Sequence, residues 1–390
     1  MIVVTDLEPS RLPRLLEERW TSAESFAVVP HASREWAIEA ARRIPTELDR
    51  DHFALLSSGS TGAPKLVIGS KERAERLVRT LHSAQENEPV ESAVCVLPLT
   101  YSFAFVNQWL WSRAHSRRFV PSPGLRSPAA LERDLRENEK SMLCLVGIQV
   151  PLLLQALGSQ VFPEVIRIHF AGGRFPQERL GDLAGLFPNA AIYNNYGCVE
   201  AMPRLTLRRA DEGSHAPDVG KALPGVVLRV DQDGRLLFRS DYGAVAWVED
   251  AGVHRVGPQE WVPSGDLASP GENGAWVLEG RASEVFKRHG EKVAIPMLLG
   301  TIHHVWNGEA VFYRETDSMG EEGHVLVLSP PPPEDAVRSI LREFRGTYSR
   351  AQWPLRIESV NQLPLLPNGK PNLAEVRGAE EKSVHWSQMI

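Results

Sequence analysis

At 390 residues the chain is long enough to bury a large core and to form more than one domain. Its 43% hydrophobic and 24% charged content is ordinary for a soluble globular protein. A formal net charge of −6 removes any electrostatic reason to expect nucleic acid or an anionic membrane as the main partner.

The opening MIVVTDLEPS carries acids where an export signal needs basic and then apolar residues. No apolar run approaches the ~20 residues of a membrane span, so a soluble, cytoplasmic protein is expected. The three cysteines, Cys95, Cys144 and Cys198, are widely spaced and lie in or beside apolar runs. They read as reduced, mostly buried thiols rather than metal ligands. Residues 1–50 show two amphipathic helical patterns, about 10–20 and 33–43, separated by Pro30. A short apolar run at 53–56 then reads as a strand leaving a core. It opens into Ser57, Ser58, Gly59, Ser60, Thr61 and Gly62, followed by a proline and Lys65. Glycines let successive backbone N–H groups converge, hydroxyls add donors, and a lysine adds a full charge, which together suit a polyphosphate. A Walker A loop is excluded by spacing, because the second glycine would fall on Pro64 and Leu66 follows the lysine.

From 65 to 195 short apolar runs at 93–97, 142–146, 165–170 and 190–193 alternate with helical patterns at 71–84, 103–114, 128–139, 149–157 and 176–186. That alternation predicts a parallel or mixed sheet covered by helices, with ligands at the carboxyl ends of the strands. Residues 219–280 alternate apolar and polar side chains between Gly and Asp turns, which predicts antiparallel strands. Beyond 310 the pattern reads as a hairpin, a proline-stopped linker and a helix with acids in its first turn.

Four motifs succeed one another: SSGSTGAPK at 57–65, YGCVE at 196–200, SGDL with EGRASEVFKRHGEKV at 264–293, and LPLLPNGKPNL at 363–373. Together they resemble the adenylate-forming superfamily of acyl- and aryl-CoA synthetases, peptide-synthetase adenylation domains and luciferases. The resemblance covers about residues 50–378. It implies ATP and Mg²⁺ as cofactors, with Ser57 to Gly62 and Lys65 on the phosphates. Tyr196 would stack on the adenine, Asn194 would bond its edge, Gly172 and Gly173 would allow close backbone approach, and Gly197 would belong to the nucleotide-binding set. Glu200 would hold Mg²⁺, Asp266 the ribose diol, and Arg281 the ribose or phosphate region. Tyr101, Phe103 and Gly172 are implied for the acyl pocket, although Tyr101 equally fits a core aromatic at a strand–helix junction. Ser283 falls at the interdomain hinge, Gly290 at the thiol tunnel on a basic loop with Lys287, Arg288 and Lys292, and Lys370 at the adenylation lysine.

The expected fold class is α/β: a large N-terminal α/β domain over 1–282 with a helix-covered sheet and a small β subdomain at 219–280, then a small mobile α+β domain over 283–390. The expected activity is that of an AMP-forming ligase. It would activate an aryl or acyl acid and pass it to CoA or to the phosphopantetheine of an acyl carrier protein, in a secondary-metabolite pathway, with a homodimer left open. An α-amino acid is not expected, since the segment TYSFAF lacks the carboxylate that amino-acid-activating relatives place there. Departures from the family pattern are Val199 and Leu299, where threonine and glutamate are usual, and only 56 residues before the phosphate loop, so part of the acyl-pocket wall is expected to be missing or supplied by a partner subunit. These departures define the rival reading, a non-catalytic relative that binds nucleotide or acyl chain or docks on a carrier protein.

Overall fold

Phe26–Val29 is buried at all four positions, and so short an apolar run fits a strand covered on both faces. It is the second strand of a six-stranded sheet, ordered Ile2–Thr5, Phe26–Val29, His52–Ser57, Lys65–Ser70, Ala246–Glu249 and Gly252–Arg255. The first three strands run parallel, linked by the helices Leu12–Thr21 and Arg34–Arg42, and the others are antiparallel. The computed structural model describes residues 1–8, 10–57, 64–212, 218–365 and 371–388. It forms two units, Met1–Ser264 with Ala268–Leu278, and Gly265–Leu267 with Glu279–Ile390.

Both predicted N-terminal helices are present, but the sequence pattern did not reveal the strands Ile2–Thr5 and Phe26–Val29. Trp20 joins this region to the rest of the first unit, with its ring 5.2 Å from Phe53, 5.7 Å from Trp109 and 5.9 Å from Phe105. Lys71 closes the end of the first helix. Its buried ammonium donates to the carbonyls of Arg19, Trp20, Ser22 and Glu24 at 2.6–3.3 Å, satisfying acceptors that a helix terminus leaves open. Burial lowers its pKa despite those bonds.

A second sheet of eleven strands carries the predicted alternating region. Arg118–Pro121, Ser92–Cys95, Ser141–Leu145, Val165–Phe170 and Ala191–Tyr196 are parallel neighbours in that order. The expected helix over 103–114 is present, with a π-helical stretch at Phe105–Leu110. The antiparallel strands expected over 219–280 extend both sheets, and Thr206–Arg209 is the switch from parallel to antiparallel pairing. Beside it Arg204, 1% exposed, donates to the side-chain oxygens of Asn107 and Asn195. Burial pushes its guanidinium down to about 9.

In the second unit, Glu309–Thr316, Glu322–Ser329, Arg356–Ser359 and Ser383–Ser387 form a four-stranded sheet, with the helices Ile295–Val305 and Glu334–Thr347 contributing to its core. The hairpin Val285–Arg288 with Glu291–Ala294 stands before them. Of the three basic residues of that loop, Arg288 is turned inward: it is 2% exposed and pairs with Asp317 at 3.3 Å. Strand alternation puts it on the same side as buried Phe286, so only Lys287 and Lys292 present their charge to water. Pro296 does not disturb its helix, since it lies in the first turn, where no intrahelical donor is lost. Among the described residues no helix is long and apolar enough to cross a membrane.

Two stability predictions follow from these contacts. Gly220 has φ +82°, and a Cβ there would lie 2.0 Å from the carbonyl oxygen of Leu207 on the neighbouring strand. Gly220→Ala is expected to cost about 2–4 kcal/mol in urea unfolding of the first unit; a loss below about 0.5 kcal/mol would contradict the contact. In the second unit, burial first and then Arg288 push the His324 imidazole down to about 3. A lowered histidine pKa means that the unfolded chain takes up more protons, so this unit should lose stability as pH falls from about 6.5 toward 3. Hydrogen exchange of the Glu322–Ser329 strand should show that acid dependence, and His324→Leu should flatten it.

Candidate active site at the carboxyl edge of the parallel strands

Parallel strands bring their carboxyl ends to one edge of the sheet, and the loops that leave them collect there. Tyr101 follows Ser92–Cys95, Gly172 and Gly173 follow Val165–Phe170, and the segment from Gly197 to Glu200 follows Ala191–Tyr196. The structure therefore gathers these predicted residues on the same edge of one sheet. The strand Ala191–Tyr196 is buried throughout, with Tyr196 at 9% exposure and Asn194 at 7%. Asn194 makes a long contact, 3.5 Å, from its side-chain nitrogen to the carbonyl of Asp218.

Gly197 is required by close approach. A Cβ there would stand 1.8 Å from the carbonyl oxygen of Pro203 and 2.9 Å from the Cα of Arg204. Gly172 differs, since it is exposed with φ +80° and, among the described residues, nothing within 4 Å of a Cβ, so its glycine serves the turn. A Cβ at Gly173 would stand 3.4 Å from the side chain of Val146, an ordinary contact. Val199 packs partly against the main apolar core, which gives a packing reason for the hydrocarbon where a hydroxyl is usual.

Tyr101 and Phe103, both expected at the acyl pocket, differ in their surroundings. Phe103 is 6% exposed and belongs to the core. The Tyr101 hydroxyl is buried without a hydrogen-bond partner among the described residues, and burial pushes the phenol up to about 12. Such a donor remains available for an incoming polar group. The whole segment from Ser102 to Ala114 contains no acidic residue.

Glu200 is half-buried, and its backbone carbonyl accepts from the Ala244 N–H at 2.9 Å. It lines a polar cleft of about 330 Å³ with Arg73, Arg76, Asp241 and Glu260. One such carboxylate fits Mg²⁺ on a triphosphate, because phosphate oxygens and water fill most of that ion's octahedron. Lys65 stands opposite Ser57 at the loop end of its strand, whereas Glu200 lies near the Ile68 end. At 3.4 Å per residue the two are on the order of 10 Å apart along the strand. Lys65 is paired: its ammonium is 3.1 Å from the carboxylate of Glu249 and 5.6 Å from the centre of the Trp247 ring.

In the second unit Asp266 and Arg281 form an ion pair of 3.1 Å. Ser283 is exposed in the short 3₁₀ turn Ala282–Glu284. Gly290 lies at φ +81° after His289 at φ +49°, the two left-handed residues of a tight hairpin turn. Among the described residues nothing lies within 4 Å of a Cβ at Gly290, so the turn, not crowding, accounts for the glycine in this arrangement. Ser58, Gly59, Ser60, Thr61, Gly62 and Lys370 lie outside the described residues. Sequence reasoning missed Glu249, Arg204 and the arginines of the cleft, since none belongs to a local motif.

Comparison with known proteins matches residues 3–246 to the family model described as AMP-binding enzyme. The delta-poly-L-ornithine synthetase of Acinetobacter baumannii is 24% identical over 95% of this chain, which spans only 28% of that protein's length. The benzoate–CoA ligase of Thauera aromatica is 25% identical over 86% of this chain and 67% of its own length. Among solved structures, the o-succinylbenzoate CoA synthetase of Bacillus subtilis, in complex with its acyl-adenylate intermediate, superposes with a TM-score of 0.72 at 15% identity. That match covers 95% of this chain and 82% of the other. The chain belongs to the AMP-binding enzyme family, within the adenylate-forming superfamily.

Proposed function

We propose that the protein is an AMP-forming ligase that activates an aryl or acyl carboxylic acid as its adenylate and passes it to the thiol of CoA or a carrier-protein pantetheine. The observation that carries this reading is the convergence of Tyr101, Gly172, Gly173 and the 194–200 segment at one sheet edge. The acid-free helix after Tyr101 favours an acid without an ammonium group, which would need a carboxylate partner when buried. Of the two relatives named above, one carries an amino acid in its name and one an aryl acid; this helix favours the aryl side. The Tyr101 hydroxyl, without a partner among the described residues, is suited to a polar substituent on that acid.

In the proposed reaction a carboxylate oxygen attacks the α-phosphorus, a P–O bond forms, and the bond to pyrophosphate breaks. The loop 57–65 holds the phosphates, Tyr196 and Asn194 the adenine, and Asp266 with Arg281 the ribose side. When bound on Glu200, Mg²⁺ supplies charge to the leaving pyrophosphate. Lys370 neutralises the charge that develops between carboxylate and phosphate. We place the domains at 1–282 and 283–390, with a pivot at Ser283; the unit break at Leu278/Glu279 and the exposure of Ser283 support that division. A cytoplasmic setting is supported by three cysteines that form no disulfide.

Carboxylate-dependent exchange of labelled pyrophosphate into ATP, run over a panel of aryl, acyl and amino acids, tests the first half-reaction. Aryl or acyl acids should support it and amino acids should not; binding of ATP with no exchange on any acid would favour the non-catalytic reading. Lys370→Ala should lower the exchange by about 100-fold or more while still converting supplied acyl-adenylate to thioester. Loss of both steps together would remove Lys370 from the adenylation role.

A further inference from the structure

The phosphate-loop lysine already has an anion. Lys65 and Glu249 lie at the ends of neighbouring antiparallel strands, one position beyond the Leu66–Val248 pair, and their charged groups are 3.1 Å apart. Most ion pairs at a surface contribute little, because two long side chains must be ordered to make them. This pair is held from both sides. Arg43, at the end of the helix Arg34–Arg42, donates to the backbone carbonyls of Glu249 at 2.9 Å and Asp250 at 3.4 Å. The turn between the strands Ala246–Glu249 and Gly252–Arg255 is thereby fixed, and Glu249 starts from a set backbone position. Lys65 lies over the ring of Trp247, itself stacked on His254 at 4.1 Å, and His254 is hydrogen-bonded to Glu260 at 2.7 Å. The lysine side chain is 20% exposed and the glutamate 34%, so the pair is only partly screened by water.

We propose that Glu249 is a latch for Lys65: its carboxylate holds the ammonium while no polyphosphate is bound, and nucleotide binding exchanges one anion for the other. The proposal rests on the reading that Lys65 contacts the β- and γ-phosphates. A lysine has one full charge to offer, and a triphosphate carries more negative charge than a carboxylate, so the triphosphate can displace Glu249. AMP, with no group at that end of the loop, cannot. Glu249 is thus a positioning residue that acts through Lys65 and lowers apparent affinity for the triphosphate alone. It keeps the lysine on the sheet edge near the loop and closed to weaker anions.

The test is calorimetric binding of Mg·ATP and of AMP to the full chain and to Glu249→Gln, Lys65→Met and the double variant, with thermal unfolding as a fold control. Glu249→Gln should tighten Mg·ATP binding by about two- to fivefold, the range expected for release of a partly exposed ion pair. AMP binding should be unchanged, and the gain should vanish in the Lys65→Met background. Tighter AMP binding, or no gain for ATP while Lys65→Met still weakens it, would overturn the latch and leave the phosphate role of Lys65 standing. Unchanged ATP binding in Lys65→Met would overturn the phosphate role itself, and the latch with it.

Discussion

Arg204 carries a charge into the middle of the larger unit, where its two terminal nitrogens donate to the amide oxygens of Asn107 and Asn195. A guanidinium held this way forgoes the Coulomb energy of a carboxylate and accepts a large desolvation cost, which is why its pKa falls. In return it joins two elements that no strand pairing connects. Asn195 belongs to the strand that leads into the proposed adenine segment, and Asn107 to the π-helical stretch behind Tyr101. Asn195 also donates to the carbonyl of Phe170, the residue from which the Gly172–Gly173 turn departs. Three of the walls proposed for the active site are therefore tied through one buried hydrogen-bond network. Removing an acceptor would leave a buried donor unpaired, a cost of about 1–3 kcal/mol.

Close backbone packing supplies the second constraint. The chain leaves Tyr196, turns back through 199–202 and crosses under Gly197 at Pro203, at a distance that no side chain could occupy. Leu205 then returns its N–H to the Tyr196 carbonyl, so the segment between them is fixed at both ends. Val199 and Met202 point into the apolar interior, and Met202 lies against Gly69 of the first sheet. A short motif is in this way locked to both sheets, and Glu200 is the charged side chain left to face the cleft.

Much of this was legible because it rests on local pattern. Four parallel strands of the second sheet are short apolar runs flanked by helical periodicity, and Tyr101, Gly172, Gly173 and Glu200 come after them, whereas Arg118–Pro121 was not expected. The strands Ile2–Thr5 and Phe26–Val29 were not legible, because so short an apolar run beside an amphipathic helix reads equally as its flank. The inward turn of Arg288 toward Asp317 was not legible either, because three basic residues in one loop do not say which of them strand alternation buries. Arg204 and Glu249 left no signal at all. Their partners lie far along the chain, and only the folded sheets bring them together.

Isotope tracing tests the central claim most directly. An acid that supports exchange, labelled with ¹⁸O in its carboxylate, should yield AMP carrying one ¹⁸O after complete turnover, because a carboxylate oxygen becomes bonded to the α-phosphorus. Label appearing in inorganic phosphate with ADP as the nucleotide product, or AMP formed without label, would contradict adenylation as the chemistry of this site.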